Sequence, residues 1–555
     1  MVAHGVNTPP PANDCVLDYA NVAWVLLCTS LTLNMILGLA FFHAGQLRAK
    51  NTQAVIIKKF GAVPVLCLLW IMIGYSLCFG RTTGLFGNFE HLMLSGVSHV
   101  KCDPWQNSIP GALHALFQMM VAALAPLLVS GAYAERVKWK GFLSFTLLWE
   151  MLVYYPVLHN VWGGGWLYHM KVVDYAGGVV INTTAGVAAL VTALYVGPRK
   201  DFHKYNGDFP PSNLPLAASG AGMIWVGWMG LIGGPGFSAN EITVMAIVNS
   251  QIACYSSAST WLLLTVVGAV LRKQETMSLS IVPVINGAVA GLAGVTPCCA
   301  YISMQCSLGL GVVFGILSYS SASLLQYRYH VDDALDVFCV HGVTGMAGTI
   351  ILGLFADKSL NPALEHSGLF VHYSIDAWRF LGLQVMAVVL VAAYSAAVTL
   401  LLFVLINRIL QGGIRFTPQE EAIGLDRLEH HGAYHGLQRS VCIDEISMKV
   451  ERGLPAMVEG MVEKYVDEAA ERLLKLASQM QGPGSENKMK TVRWGGARRA
   501  SMTPLDAAGA ELPLQHANLE QAVLVKYMQL SQGLEVAEGA TSMRCVLIFK
   551  LHHLT

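Results

Sequence analysis

Three side chains in or beside apolar runs are the best placed for polar chemistry in this sequence: His341, Asn182 and Trp162. A histidine embedded in a membrane segment is rare and faces a bundle interior or cavity. There it can donate and accept hydrogen bonds and, with an ordinary pKa of about 6.5, take part in proton transfer. The indole face of Trp162 can attract a small cation, a contact worth roughly 0.5–2 kcal/mol, although a tryptophan near a helix end is more often an interfacial anchor. Asp174, at a helix start, reads as an N-cap, and Glu150, inside an apolar run, as a buried hydrogen-bonded carboxylic acid. Arg498-Arg-Ala-Ser501 fits a cytoplasmic kinase directed by basic residues, and a phosphoserine beside two arginines would dock or release its segment. The sequence has no nucleophile-base constellation, phosphate loop or zinc-ligand spacing, so neither an enzyme nor a cofactor or metal is expected.

The elements that must carry these residues are membrane helices. Of 555 residues 54% are hydrophobic and 13% charged, with a mean hydropathy of +0.50, against about 25% charged in an average soluble domain. Net charge is zero and no basic tract interrupts the apolar region, which excludes a nucleic-acid partner. Crossing a lipid bilayer takes roughly 20 apolar residues. Eleven segments qualify, near 21–43, 55–79, 110–134, 141–162, 174–196, 214–234, 243–271, 279–298, 305–325, 333–355 and 379–407. Every second loop is basic (Arg48, Lys50, Lys58 and Lys59; Arg136, Lys138 and Lys140; Arg199, Lys200 and Lys204; Arg272 and Lys273; Arg328), which places the N-terminus outside and the C-terminus in the cytoplasm. Asn182-Thr-Thr-Ala-Gly186-Val-Ala188 and His341-Gly-Val-Thr-Gly345-Met-Ala347 share small residues at the same offsets and lie five helices apart. That spacing reads as an inverted repeat with a site at mid-bilayer. The fold class is therefore an all-α polytopic membrane protein, two inverted five-helix repeats plus a final helix. Residues 1–20 form an exofacial segment, 21–411 the helical domain, and 412–555 a partly disordered cytoplasmic tail with an amphipathic helix at 455–480. Cys298, Cys299, Cys15 and Cys102 fall in outer segments, where a disulfide can form.

Five ordered motifs resemble the ammonium transporter, methylammonium permease and Rh superfamily. They are Gly38-Leu-Ala-Phe-Phe-His-Ala-Gly-Gln-Leu-Arg-Ala-Lys-Asn51, Phe117-Gln-Met, His159-Asn-Val-Trp-Gly-Gly-Gly165 with Asp174-Tyr-Ala-Gly-Gly178, Asp336-Val-Phe-Cys-Val-His-Gly342, and Glu421-Ala-Ile-Gly-Leu-Asp426 before His430. The Trp-Gly-Gly-Gly and Gly-Leu-Asp segments point to the transporter (Amt) branch. The resemblance implies a homotrimer, and the plasma membrane is the default location. Each subunit would hold a pore for ammonium or ammonia with an outer cation site, a pair of gating phenylalanines and a dry lumen lined by two histidines. On that basis Trp162 recruits, Phe117 gates, His341 is the second pore histidine and Asp174 shapes the outer vestibule. Gly424, Leu425 and Asp426 open a regulatory tail that reaches a neighbouring subunit, with Ser501 further along.

The chain also departs from the family pattern. Asn182 stands at the first pore-histidine position, where an amide can hydrogen-bond but cannot titrate. Leu231 replaces the second phenylalanine, Pro235 a common serine, and His43 a frequent tyrosine. The expected function is ammonium transport through an atypical pore. The alternatives are an ammonium sensor with weak or no conduction and a less selective cation-permeable relative.

Overall fold

The computed structural model describes residues 16–430 apart from 104–105, 206 and 272–279. The described residues fall within one compact unit, 1–457. The 455–480 helix, the Ser501 pattern, Cys15, Arg272, Lys273 and the tail beyond 430 lie outside the described residues.

Ten of the described helices are long and apolar enough to cross a membrane: α1 (Tyr19–Gln46), α2 (Ala49–Phe79), α3 (Gly111–Val129), α4 (Trp139–His169), α5 (Gly178–Val196), α6 (Leu214–Gly233), α7 (Glu241–Leu271), α9 (Met304–Arg328), α10 (Phe338–Phe355) and α11 (Ile375–Ile409). The eleventh, α8 (Val282–Val295), has 14 residues, about 21 Å at 1.5 Å each. Buried turns through 296–302 carry the chain onward. Each of the eleven expected segments thus has its helix, and the fold is the all-α bundle expected. The exception is a two-stranded ribbon, β1 (Cys102–Asp103) against β2 (Gln106–Pro110). Cys102 is disulfide-bonded, whereas Cys298 and Cys299 are free and buried, so the outer disulfide uses neither of that pair.

Local chemistry sets the helix ends. Asp18 caps α1 by accepting from Ala20 N at 2.8 Å, Asn213 caps α6 through Leu216 N at 2.9 Å, and Ser374 caps α11 through Ala377 N at 3.1 Å. Each cap satisfies an amide that the first turn leaves without a helical partner. Large apolar side chains such as Leu263 on α7 and Leu401 on α11 stay exposed, as suits a face turned to lipid.

The two halves meet at corresponding helices. A Cβ at Gly38 of α1 would come within 2.8 Å of the Gly220 carbonyl on α6, and one at Gly186 of α5 would strike the backbone of Gly342 on α10. Only glycine permits these approaches. Both α5 and α10 open with a wide π turn, Gly178–Thr183 and Phe338–Val343, that carries Asn182 and His341 respectively. An aspartate eight residues before each, Asp174 and Asp333, accepts from amides at the helix start, Asp333 from Phe338 N at 2.7 Å. The repeat suggested by Gly and Ala offsets therefore extends to caps and turn type. Arg48, Arg136, Arg199 and Arg415 cluster with acidic groups at one end, the end that the loop charges assign to the cytoplasm.

Candidate functional site

α4 unwinds after Val161, and the following glycines let the chain turn where Trp162 sits. A Cβ at Gly163 would strike the Cys78 carbonyl. The Trp162 indole N–H donates to the Asp174 carbonyl at 2.8 Å, which fixes the ring. The Asp174 carboxylate accepts four amides, Gly177 at 2.9 Å, Gly178 at 2.7 Å, Val179 at 2.7 Å and Val180 at 3.0 Å. One buried residue thus caps α5 and holds the tryptophan.

Trp162, Phe117, Leu231 and Pro235, with Gln118 and Tyr175, wall a cavity of about 10 Å³. All four side chains that the sequence placed on the outer half of the pathway therefore meet. The ring partner of Phe117 is Phe237, edge to face with centroids 5.8 Å apart. Nothing in the sequence reading singled out Phe237. It sits at a left-handed φ of 47°, closing a turn in which its N–H donates to the Gly234 carbonyl at 2.8 Å. Pro235 occupies the second position of that turn, where a fixed φ is favourable. A Cβ at Gly234 would strike the Phe117 ring.

Deeper in, His341 Nδ1 lies 3.0 Å from Asn182 Oδ1, and Asn182 Nδ2 donates to the Ala293 carbonyl at 3.3 Å. The Asn182 oxygen can only accept, so Nδ1 carries the proton and Nε2 keeps its lone pair. Trp228 stacks on the imidazole, 16° from parallel with centroids 6.0 Å apart, and its own N–H reaches Thr296 Oγ1 at 3.3 Å. His341, Trp228 and His43 share a cavity of about 20 Å³ otherwise walled mainly by Met35, Val289, Val340 and other apolar groups. One water needs about 10–15 Å³, so each cavity takes one or two small molecules. Glu150 is fully buried beside Tyr155 and lines neither of these cavities.

An eleven-helix bundle with these motifs has a known counterpart. The model of the Ammonium Transporter Family matches residues 23–434. The chain belongs to the ammonium transporter family. Ammonium transporter 1 of Dictyostelium discoideum is 46% identical over 429 residues, 77% of this chain and 89% of that protein. Ammonium transporter Amt1 of Archaeoglobus fulgidus is 33% identical over 74% of this chain and 97% of its own length. The crystal structure of Candida albicans Mep2 aligns with a TM-score of 0.66 at 29% identity, over 73% of this chain and 88% of that one. Members of the ammonium transporter family are multi-pass membrane transporters, not enzymes.

In this member of the family, the start of the tail straps the cytoplasmic end. Asp426 accepts from Gln53 N at 3.1 Å and Ala54 N at 2.7 Å, Leu425 N donates to Asn51 Oδ1 at 2.8 Å, and Gly424 has a φ of 97°. Glu421 bridges Arg415 at 2.7 Å. Beneath lies a buried ion cluster. Glu135 joins Arg48 and Arg199 at 3.0 Å each, and Arg199 joins Asp332 at 2.8 Å. Burial works against the Asp332 charge, but Arg136 and Arg199 outweigh it and hold the carboxyl at about 2. Its signal in the sequence was only that Arg48, Arg136 and Arg199 recur in loops of one side.

Proposed function

We propose that the chain transports ammonium across the plasma membrane as a homotrimer with one narrow pore per subunit. Trp162 recruits the cation and Phe117, facing Phe237 and Leu231, gates entry. Leaving a bare cation in such a lumen costs several kcal/mol or more, so ammonia crosses while the proton is handled separately. The observation that carries this reading is the 3.0 Å pairing of His341 with Asn182. It leaves an imidazole nitrogen able to accept a proton within an otherwise apolar lumen. The pairing also supports Asn182 as a working substitute for the first pore histidine, since it keeps the polar track while removing one titratable group. The apolar lumen favours ammonium over potassium because ammonium can leave its charge behind as a proton, whereas potassium would have to enter as a bare cation.

The residues from Glu421 to Asp426 support a regulatory role for 412–555, because they seat the tail on the first turns of α2. A kinase acting at Ser501 would act through that tail. The deciding experiment is ammonium-triggered current in liposomes holding the purified protein beside Asn182→His. Wild-type current with an altered pH dependence in the variant supports the reading. A wild-type protein with neither current nor lumenal pH change defeats it. An ammonium response that persists without conduction and vanishes on removing 412–555 would mark a sensor instead.

A further inference from the structure

The two cavities nearest the cytoplasmic end of the path have one residue in common. His43, near the end of α1, is 3% exposed. It walls the 20 Å³ cavity that holds His341 and also a second, of about 30 Å³, lined by Lys58, Lys59, Ser130, Tyr133 and Glu135. Its Nδ1 is buried with no hydrogen-bond partner. A stranded buried polar atom of this kind is unfavourable, a cost that an aliphatic or phenyl side chain would avoid. Room for the ring comes from Gly131, where a Cβ would lie 2.8 Å from His43 Cε1.

We propose that His43 is the second proton-carrying imidazole of this pore, standing between His341 and the cytoplasmic side in place of the histidine missing at 182. The proposal rests on the conduction reading above. An ammonium ion held at the outer site gives up one N–H proton, carried by water between the two cavities, to the lone pair of His341 Nε2, leaving ammonia. The imidazolium passes that proton through a water in the shared cavity to His43, which releases it to water in the cytoplasmic cavity. There the ammonia takes up a proton again, so one ammonium disappears outside and one forms inside. Only N–H and O–H bonds change.

The lysines and the glutamate that face His43 hold other partners. On α2, Lys59 Nζ is tied to the Leu127 carbonyl at 2.9 Å and to Ser130 Oγ at 2.7 Å, and Lys58 Nζ to the Val137 carbonyl and to Glu429. Glu135 is bound by Arg48 and Arg199. Beyond them stand Tyr133 after α3, His341 on α10, and Asp336, which reaches Asn286 at the rim at 3.2 Å. None of these carboxylates pairs with the His43 ring.

The test places full-length wild type, His43→Gln and His43→Tyr in liposomes and reads two quantities. One is ammonium-triggered current on a solid-supported membrane. The other is electroneutral ammonia flux, read by an enclosed pH dye. Expected for both folded variants is a current at least tenfold lower and flat in pH between 5 and 8, with ammonia flux within about twofold of wild type. Either folded variant alone suffices, with folding read from gel filtration and thermal unfolding. Wild-type current and pH profile in a variant overturn the assignment, as does parallel loss of both current and ammonia flux, which would make His43 a wall residue only. A silent wild type would instead overturn the conduction reading on which the proposal stands.

Discussion

Asp174→Asn is the substitution whose cost the structure specifies most fully. The carboxylate accepts four amides, Gly177 and Gly178 on Oδ1 and Val179 and Val180 on Oδ2. An asparagine keeps one oxygen and turns an NH2 group toward two N–H donors, so two of the four bonds are lost. Bonds to a charged group contribute about 1.5–3 kcal/mol each, so the rigid loss is about 3–6 kcal/mol. Relaxation at the α5 terminus brings the expectation to the lower figure, about 3 kcal/mol. The assay is unfolding of purified protein in mixed micelles at increasing SDS. Ammonium current should also fall by more than the loss of folded protein explains, because the carbonyl of the same residue orients the Trp162 indole. A variant within about 0.5 kcal/mol of wild type, carrying full current, would refute the claim that this cap builds the outer site.

Gly186→Ala places a methyl group on the backbone of Gly342. Overpacking of this kind costs about 1–3 kcal/mol and should separate Asn182 from His341. Thermal unfolding should show the loss, while Gly222→Ala, with nothing within 4 Å of its added carbon, should be neutral or stabilising. The ion cluster predicts a dependence on acid. The Asp332 carboxyl is held at about 2 against an ordinary 3.8, so its folded pKa is depressed. Its contribution, roughly 2 kcal/mol, is present above pH 4 and is lost as pH falls through 4 toward 2. Unfolding measured from pH 5 to pH 2 should show this slope in wild type and lack it in Asp332→Asn, which starts from a lower stability.

What could be read along the chain was whatever depends on nearest neighbours and periodicity. Apolar run length fixed the helices, basic loops fixed the orientation, and Trp162, Phe117, Asn182, Leu231, Pro235 and His341 could be named because each sits in a recognisable motif. The structure brings four of them to one cavity and the other two within 3.0 Å of each other. Phe237 and Trp228 could not be found this way. An aromatic residue in an apolar segment has no local mark that distinguishes the ring partner of Phe117 or of His341 from ordinary packing. Only the turn at Gly234 and the crossing of α6 with α10 decide it. The tautomer of His341 was equally out of reach, since it depends on an Asn182 amide whose other end is fixed by Ala293 on α8. His43 drew notice as a departure from a motif, and its place between two cavities follows from how α1, α2, α3 and α10 pack. The sequence by itself determined a membrane bundle with a polar pair inside it. The tertiary structure decided which atoms face the path, because side chains 159 residues apart acquire a shared geometry only when close-packed glycines let their helices meet.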